Sequence, residues 1–115
     1  MDYQLHHTPS TTLAFAAIEV DNYLRGKKGN FAAINDVRNW FADEVYGYDT
    51  SGKINNAFLL AIYNVIRPTK HLETVDHVVL EMRLLDMELF RLKELPPERL
   101  QNLRDFFISA SRQFE

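Results

Sequence analysis

A cluster of basic residues is the first feature of this 115-residue chain that could do chemistry. Arg25, Lys27 and Lys28 carry three positive charges in four residues, and Asn30 follows as a candidate N-cap of a second helix. Free amides at a helix N-terminus favour an anion, so a phosphate of a nucleic acid or nucleotide could bind at 25–30. The glycine spacing and the Lys-Ser/Thr pair of a Walker A loop are absent. The alternative interpretation is a solvated loop between two helices.

A second feature is the six-residue run Asp49-x-Ser51-Gly52-x-Ile54, which resembles the middle of an EF-hand calcium loop. With Gly52 at the sixth position, Asp49 and Ser51 occupy the third and fifth. The first and twelfth positions are Gly47 and Phe58, whose side chains have no oxygen, and the missing Glu removes two ligands from a cation that needs about 6–8. We therefore expect an ordinary turn, with Asp49 or Ser51 capping the helix that follows.

Arg67 and His71 have the side-chain chemistry of a metal-independent ribonuclease. Histidine can move a proton near neutral pH, and arginine can stabilise charge on a phosphorane. The gap between them is shorter than is usual in helical ribonucleases, so we favour a solvated linker. Glu73 and His77 share a helix face, but this pair holds a metal only if other helices supply ligands. The sequence therefore predicts no enzyme, metal site, cofactor or evident small-molecule substrate.

The elements that must position these residues are helices, because apolar side chains recur at spacings of three and four almost throughout. Five helices are predicted at roughly 10–25, 30–47, 53–66, 70–94 and from 97 onward, bounded by capping residues, glycines and prolines. The third is apolar on all sides over 57–63, which is typical of a buried helix. The predicted fold is an all-α, single-domain bundle of four to five helices, mostly antiparallel, with a long fourth helix. It spans 1–115, with 1–9 as a flexible N-terminal segment.

Composition excludes several classes of protein. The chain is 46% hydrophobic and 25% charged, as in ordinary globular domains, and its formal net charge of -3 argues against bulk nucleic-acid packaging. It contains no cysteine, so it has no disulfide, thiol nucleophile or thiolate metal site. No run approaches the ~18–20 apolar residues needed to span a bilayer, and the N-terminus lacks the basic region of a signal peptide. A cytoplasmic protein is expected.

The fourth helix carries the functional prediction. Unbroken over 70–94, it would be on the order of 37 Å long, which is longer than the neighbouring helices. Beyond the stripe that faces the core, it has a second apolar side formed by Leu80, Leu84, Met87 and Phe90. The alternative is that the third helix, or a kink near the middle of the fourth, covers this second side. Otherwise it is an exposed apolar patch, which marks a protein–protein site. We therefore expect a small interaction protein (a regulator, inhibitor or adaptor) that binds a protein partner or forms a homodimer. The runner-up is a nucleic-acid-binding regulator that uses 25–30 and the start of the second helix.

Overall fold

The computed structural model describes residues 3–115, which form five α-helices and one short 3₁₀ turn. No strand occurs within these residues, so the predicted all-α bundle is confirmed. The helices are α1 (Pro9–Leu24), α2 (Ala32–Ser51), α3 (Asn56–Ile66), α4 (Val75–Phe90) and α5 (Pro97–Gln113), and the 3₁₀ turn is Leu92–Glu94.

Antiparallel packing of α1 and α5 forms one side of the bundle. Arg104 of α5 pairs with Asp21 near the end of α1 at 3.1 Å, whereas Ser111 donates to the carbonyl of Ser10 near its start at 2.8 Å. α2 and α4 also run antiparallel, since Arg38 reaches Asp86 while Tyr48 reaches Asp76. All five helices contribute side chains to one core.

The third helix supplies part of the core but is not buried all round. Phe58 and Ile62 are buried as expected, and the ring of Phe58 lies 5.2–5.3 Å from the rings of Trp40 and Phe41. Leu60, on the opposite side of α3, is 59% exposed, so the prediction of a fully buried helix was wrong. Periodicity could not reveal this, because an apolar residue facing solvent looks in the sequence like one facing the core.

α2 differs from its predicted limits at both ends. It continues through Gly47 to Ser51, where Gly52 takes the left-handed conformation (φ 71°) and its amide donates to the carbonyl of Tyr48 at 2.8 Å. A glycine is the favoured residue at such a position. At the other end the N-cap is Phe31, itself left-handed at φ 48°, and not Asn30. Asn30 instead accepts a hydrogen bond from the amide of Ala32 at 3.3 Å.

The fourth helix is shorter than the predicted 70–94. It begins after Thr74, whose hydroxyl accepts from the amide of His77 at 3.2 Å, because the chain needs the preceding residues to cross from the end of α3. It ends at Phe90, and the 3₁₀ turn that follows places Leu92 in the core. Its 16 residues measure about 24 Å, so α4 is not the long helix that the sequence predicted.

The segment before α1 makes specific contacts with α2. The backbone amide of Tyr3 donates to Asp43 at 2.9 Å, and the amide of His6 donates to Asp36 at 3.1 Å. The hydroxyl of Tyr3 donates a short hydrogen bond to the same Asp36 carboxylate. Residues 3–6 of the segment that was expected to be flexible are therefore held against the bundle.

Candidate interaction surface

The outer face of α4 carries three exposed apolar side chains in a row. Val78, Met82 and Leu89 point into the core, whereas Leu80, Leu84 and Met87 are 51%, 42% and 58% exposed. At about 100° per residue, these three lie within an arc of about 60° on the side of α4 away from the core. We name them the α4 stripe. They are three of the four residues that the sequence singled out for partner binding.

Phe90, the fourth of those residues, does not belong to the same row. It is 73% exposed, but it lies about 60° further round the helix from Met87, toward α2. There the guanidinium of Arg38 stands 5.3 Å from the centre of its ring, a cation–π contact. Arg38 also pairs with Asp86 of α4 at 2.9 Å, so Phe90 faces the junction between α2 and α4.

A groove runs beside the α4 stripe, between α4 and α5. Its volume is about 860 Å³. α4 packs against α2 and α3, and α5 packs against α1 and α3. Two ion pairs stand at the rim of the groove, Lys70–Glu81 at 2.7 Å and Arg99–Glu88 at 2.5 Å. The apolar side chains that line it include Val65, Ile66, Leu84, Leu85, Met87, Leu95 and Phe106.

Charged residues stand at the two ends of the α4 stripe. Asp76, in the first turn of α4, accepts a hydrogen bond from the hydroxyl of Tyr48 at 2.5 Å. This hydrogen bond, followed by burial and the negative charges of Asp76 and Asp49, raises the pKa of Tyr48. Arg91 follows the last residue of α4 and is exposed. The stripe is therefore flanked by an acid at its beginning and a base at its end.

The predicted basic cluster lies in an exposed loop, but its positive charges are not all available. The guanidinium of Arg25 pairs with Asp21, one helical turn earlier, at 2.9 Å. Lys27 and Lys28 are exposed, and neither side chain forms an ion pair within residues 3–115. Asn30 is exposed as well, with its side-chain oxygen occupied by the amide of Ala32.

The amides expected to bind an anion at the start of α2 are already bonded. The carboxylate of Glu19, on α1, accepts from the amide of Ala33 at 2.8 Å and from that of Ile34 at 2.9 Å. A carboxylate at a helix N-terminus is favourable for the same reason as a phosphate. The expectation of free amides beside Lys27 and Lys28 was therefore wrong, since α1 supplies its own anion. Nothing in the spacing of Glu19 within its helix indicated this contact.

Asp49, the best ligand of the calcium-like segment, is engaged elsewhere. Arg83 of α4 donates to both of its carboxylate oxygens at 2.6 Å. The expected turn is partly helical, because residues 47–51 belong to α2, and the capping of α3 falls to Asn55. In the part of the chain that the structure describes, no group of three His, Asp or Glu side chains could hold a metal ion.

Arg67 and His71 both line a shallow depression in the connection between α3 and α4. Both are exposed, and His71 lies 2.8 Å from the carboxylate of Glu73. Tyr63 and Lys70 line the same depression. Charged groups stabilise a transition state less in contact with water than in a site that excludes it, and both of these side chains are exposed.

Asp36 of α2 is a buried acidic residue that helical periodicity did not reveal. It is only 5% exposed, because Tyr3 and His6 cover it. Burial by itself raises the pKa of this carboxyl, but the hydrogen bonds from Tyr3 and His6 and the charge of the His6 ring outweigh burial and lower it. The same hydrogen bond raises the pKa of Tyr3. These contacts join residues far apart in sequence and leave no local pattern.

Comparisons with protein-family models, with curated proteins and with solved structures found no match to this chain. Among the described residues, no helix is long and apolar enough to cross a membrane. The surface of the bundle is therefore the basis for inferring a function.

Proposed function

We propose that this protein is a non-enzymatic interaction module that associates through the α4 stripe, and that its partner is a second copy of the same chain. The observation that carries the proposal is the exposure of Leu80, Leu84 and Met87 side by side on one helix face. Burial of apolar surface is worth about 25 cal/mol per Å², so association gains free energy here that the monomer forgoes.

The surroundings of the stripe support a docking role. Scattered exposed apolar residues are ordinary on protein surfaces, but a contiguous row beside an apolar groove is typical of an interaction site. Leu84 and Met87 belong both to the stripe and to the wall of the groove, so a helix laid along α4 contacts both features. The charged rim, with Glu81, Glu88 and Arg99 already paired, provides the polar border that surrounds most interfaces.

A second copy is the favoured partner because symmetric dimers are the commonest oligomers. The α4 stripe also suits self-association, since its apolar centre is flanked by one acidic and one basic side chain, Asp76 and Arg91, which are complementary to each other. One helix from each chain makes a small interface, below the ~1,000 Å² typical of stable complexes, so the dimer should be weak.

Sedimentation equilibrium tests the proposal over roughly 10 µM to 1 mM, a range suited to a weak interface. We expect the average mass of the wild type to rise from monomer toward dimer with concentration. The Leu84→Glu/Met87→Glu variant should stay monomeric and keep its helical circular dichroism spectrum, because both side chains are largely exposed in the monomer.

A matched control replaces apolar residues that are exposed on another face. Phe15 and Ile18 of α1 are exposed to a similar degree, and Phe15→Glu/Ile18→Glu should dimerise like the wild type. A wild type that remains monomeric over the whole range contradicts self-association. If the α1 variant loses the dimer and the α4 variant keeps it, the interface lies on α1 instead.

The runner-up, nucleic-acid binding through 25–30, has weaker support. Of its proposed contacts, Lys27 and Lys28 remain unpaired by any acidic side chain of residues 3–115, while Arg25 is paired and Glu19 occupies the amides of α2. Glu19 also places a negative charge where the phosphate would sit. These observations leave a site of two lysines, which favours the interaction module.

A further inference from the structure

We propose that two copies of the chain pair their α4 helices antiparallel, about a twofold axis at Leu84, with Asp76 of each copy facing Arg91 of the other. This inference rests on the proposed function, and it adds the geometry by which one copy recognises the next. It follows from the order and spacing of side chains along the outer face of α4.

Along the outer face of α4, apolar and then charged side chains occur at similar distances on either side of Leu84. From Leu84, the next exposed residues of the stripe are Leu80, four positions before, and Met87, three positions after. The face then ends in Asp76 and His77, eight and seven before, and in Arg91, seven after; all three are exposed. All six lie within an arc of about 100° at about 100° per residue. Their spacing of three and four residues is the spacing of a seam between two packed helices.

In an antiparallel arrangement, each side chain of the seam lies opposite one that complements it. With Leu84 against Leu84 of the second copy, Leu80 lies opposite Met87 to within one residue, about 1.5 Å along the axis. At both ends of the seam His77 then lies directly opposite Arg91, and Asp76, one residue further on, lies opposite it with the same small offset. Apolar residues meet in the middle, and opposite charges meet at the rim.

In a parallel arrangement, each residue of the seam lies opposite the same residue of the second copy. Asp76 would face Asp76, and Arg91 would face Arg91, so both ends of the seam would bring like charges together. Like-charge pairs across an interface are unfavourable and exclude the wrong partner or register. Antiparallel helices also place the positive end of one helix dipole beside the negative end of the other. The charge pattern of the face therefore selects the antiparallel dimer.

Disulfide trapping tests the geometry directly, because the natural chain has no cysteine. The variants are Leu80→Cys, Leu84→Cys and Met87→Cys, oxidised under mild conditions and analysed by intact mass. Two cysteines form a disulfide only when their Cα atoms lie within about 7 Å. In the antiparallel dimer, two copies of residue 80 are offset by about 12 Å along the axis and two copies of residue 87 by about 9 Å.

We therefore expect Leu84→Cys to crosslink alone, and Leu80→Cys and Met87→Cys to crosslink when mixed but not when separate. Ile18→Cys, at a comparably exposed apolar site on α1, is the control and should not crosslink. If Leu80→Cys and Met87→Cys each crosslink alone, the helices pair parallel and the inference is wrong. If the wild type dimerises but none of the three crosslinks, this geometry is wrong while self-association stands. A monomeric wild type overturns both.

Charge reversal gives an independent test. Arg91→Glu places an acid opposite Asp76 at both ends of the dimer, so dimerisation should weaken roughly 2- to 30-fold, as the combined effect of two exposed pairs. Asp76→Lys/Arg91→Glu should restore it, because the charges are then opposite again. In a parallel dimer Arg91→Glu only exchanges one like-charge pair for another, so unchanged affinity would overturn the proposed pairing.

Discussion

Glu19 is the residue whose removal most directly tests how α1 and α2 are joined. Its carboxylate, on α1, accepts the amides of Ala33 and Ile34 at 2.8 and 2.9 Å, and it neutralises the positive end of the α2 dipole. Glu19→Ala removes both hydrogen bonds and the charge.

Hydrogen bonds to a charged group contribute about 1.5–3 kcal/mol each, and loss of a helix N-cap costs about 0.5–2 kcal/mol. Glu19 is only half-buried, so water can bond to the freed amides in its place. The loss of stability should therefore be close to that of an N-cap and smaller than that of two full hydrogen bonds. We expect Glu19→Ala to lower the free energy of unfolding by about 1–2 kcal/mol, or the melting temperature by roughly 4–10 °C. Glu19→Gln keeps one acceptor oxygen and loses the charge, so it should fall between the wild type and Glu19→Ala.

Urea denaturation followed by far-ultraviolet circular dichroism measures the effect. Glu94→Ala, which removes a glutamate from an exposed position in the 3₁₀ turn, is the control and should change stability by no more than about 0.5 kcal/mol. Inorganic phosphate should stabilise Glu19→Ala more than the wild type, because the substitution frees amides at the N-terminus of α2, and the loop before this helix carries Lys27 and Lys28. A Glu19→Ala variant that is no less stable than Glu94→Ala would show that the Glu19 carboxylate does not stabilise the start of α2.

Two further predictions concern stability. Phe58→Ala should cost about 3–5 kcal/mol in a urea titration, because it leaves a cavity beside Trp40 and Phe41; a cost under about 1 kcal/mol would contradict the assigned core. Asp36→Asn should be less stable than the wild type at neutral pH by about 1–2 kcal/mol, since the carboxylate binds Tyr3 and His6. Because the folded-state pKa of Asp36 lies below its usual 3.8, its contribution is present above that pH and is lost as the pH falls through the folded value. The difference in the free energy of unfolding between Asp36→Asn and the wild type should therefore narrow below about pH 4. A constant difference down to pH 2 would contradict the lowered pKa of Asp36.

The sequence alone determined the class of fold and most of the core. Apolar residues at spacings of three and four predicted the helices, because this period places them on one face of a helix whatever the rest of the chain does. In α1, Leu13, Ala17 and Val20 are buried as that spacing required. The exposure of Leu80 and Leu84 also agrees with the second apolar side that the sequence showed on α4.

Tertiary structure decided where helices end and which polar groups are engaged. α4 stops at Phe90 because the following turn places Leu92 in the core, a requirement that is set by packing and not by the local sequence. Glu19 occupies the amides of α2, and Tyr3 covers Asp36 from 33 positions away. Such contacts depend on how helices are placed side by side, and helical periodicity carries no information about that placement. The sequence therefore suggested an anion site at a basic loop, whereas only the packed helices show that the carboxylate of Glu19 already occupies the amides at the start of α2.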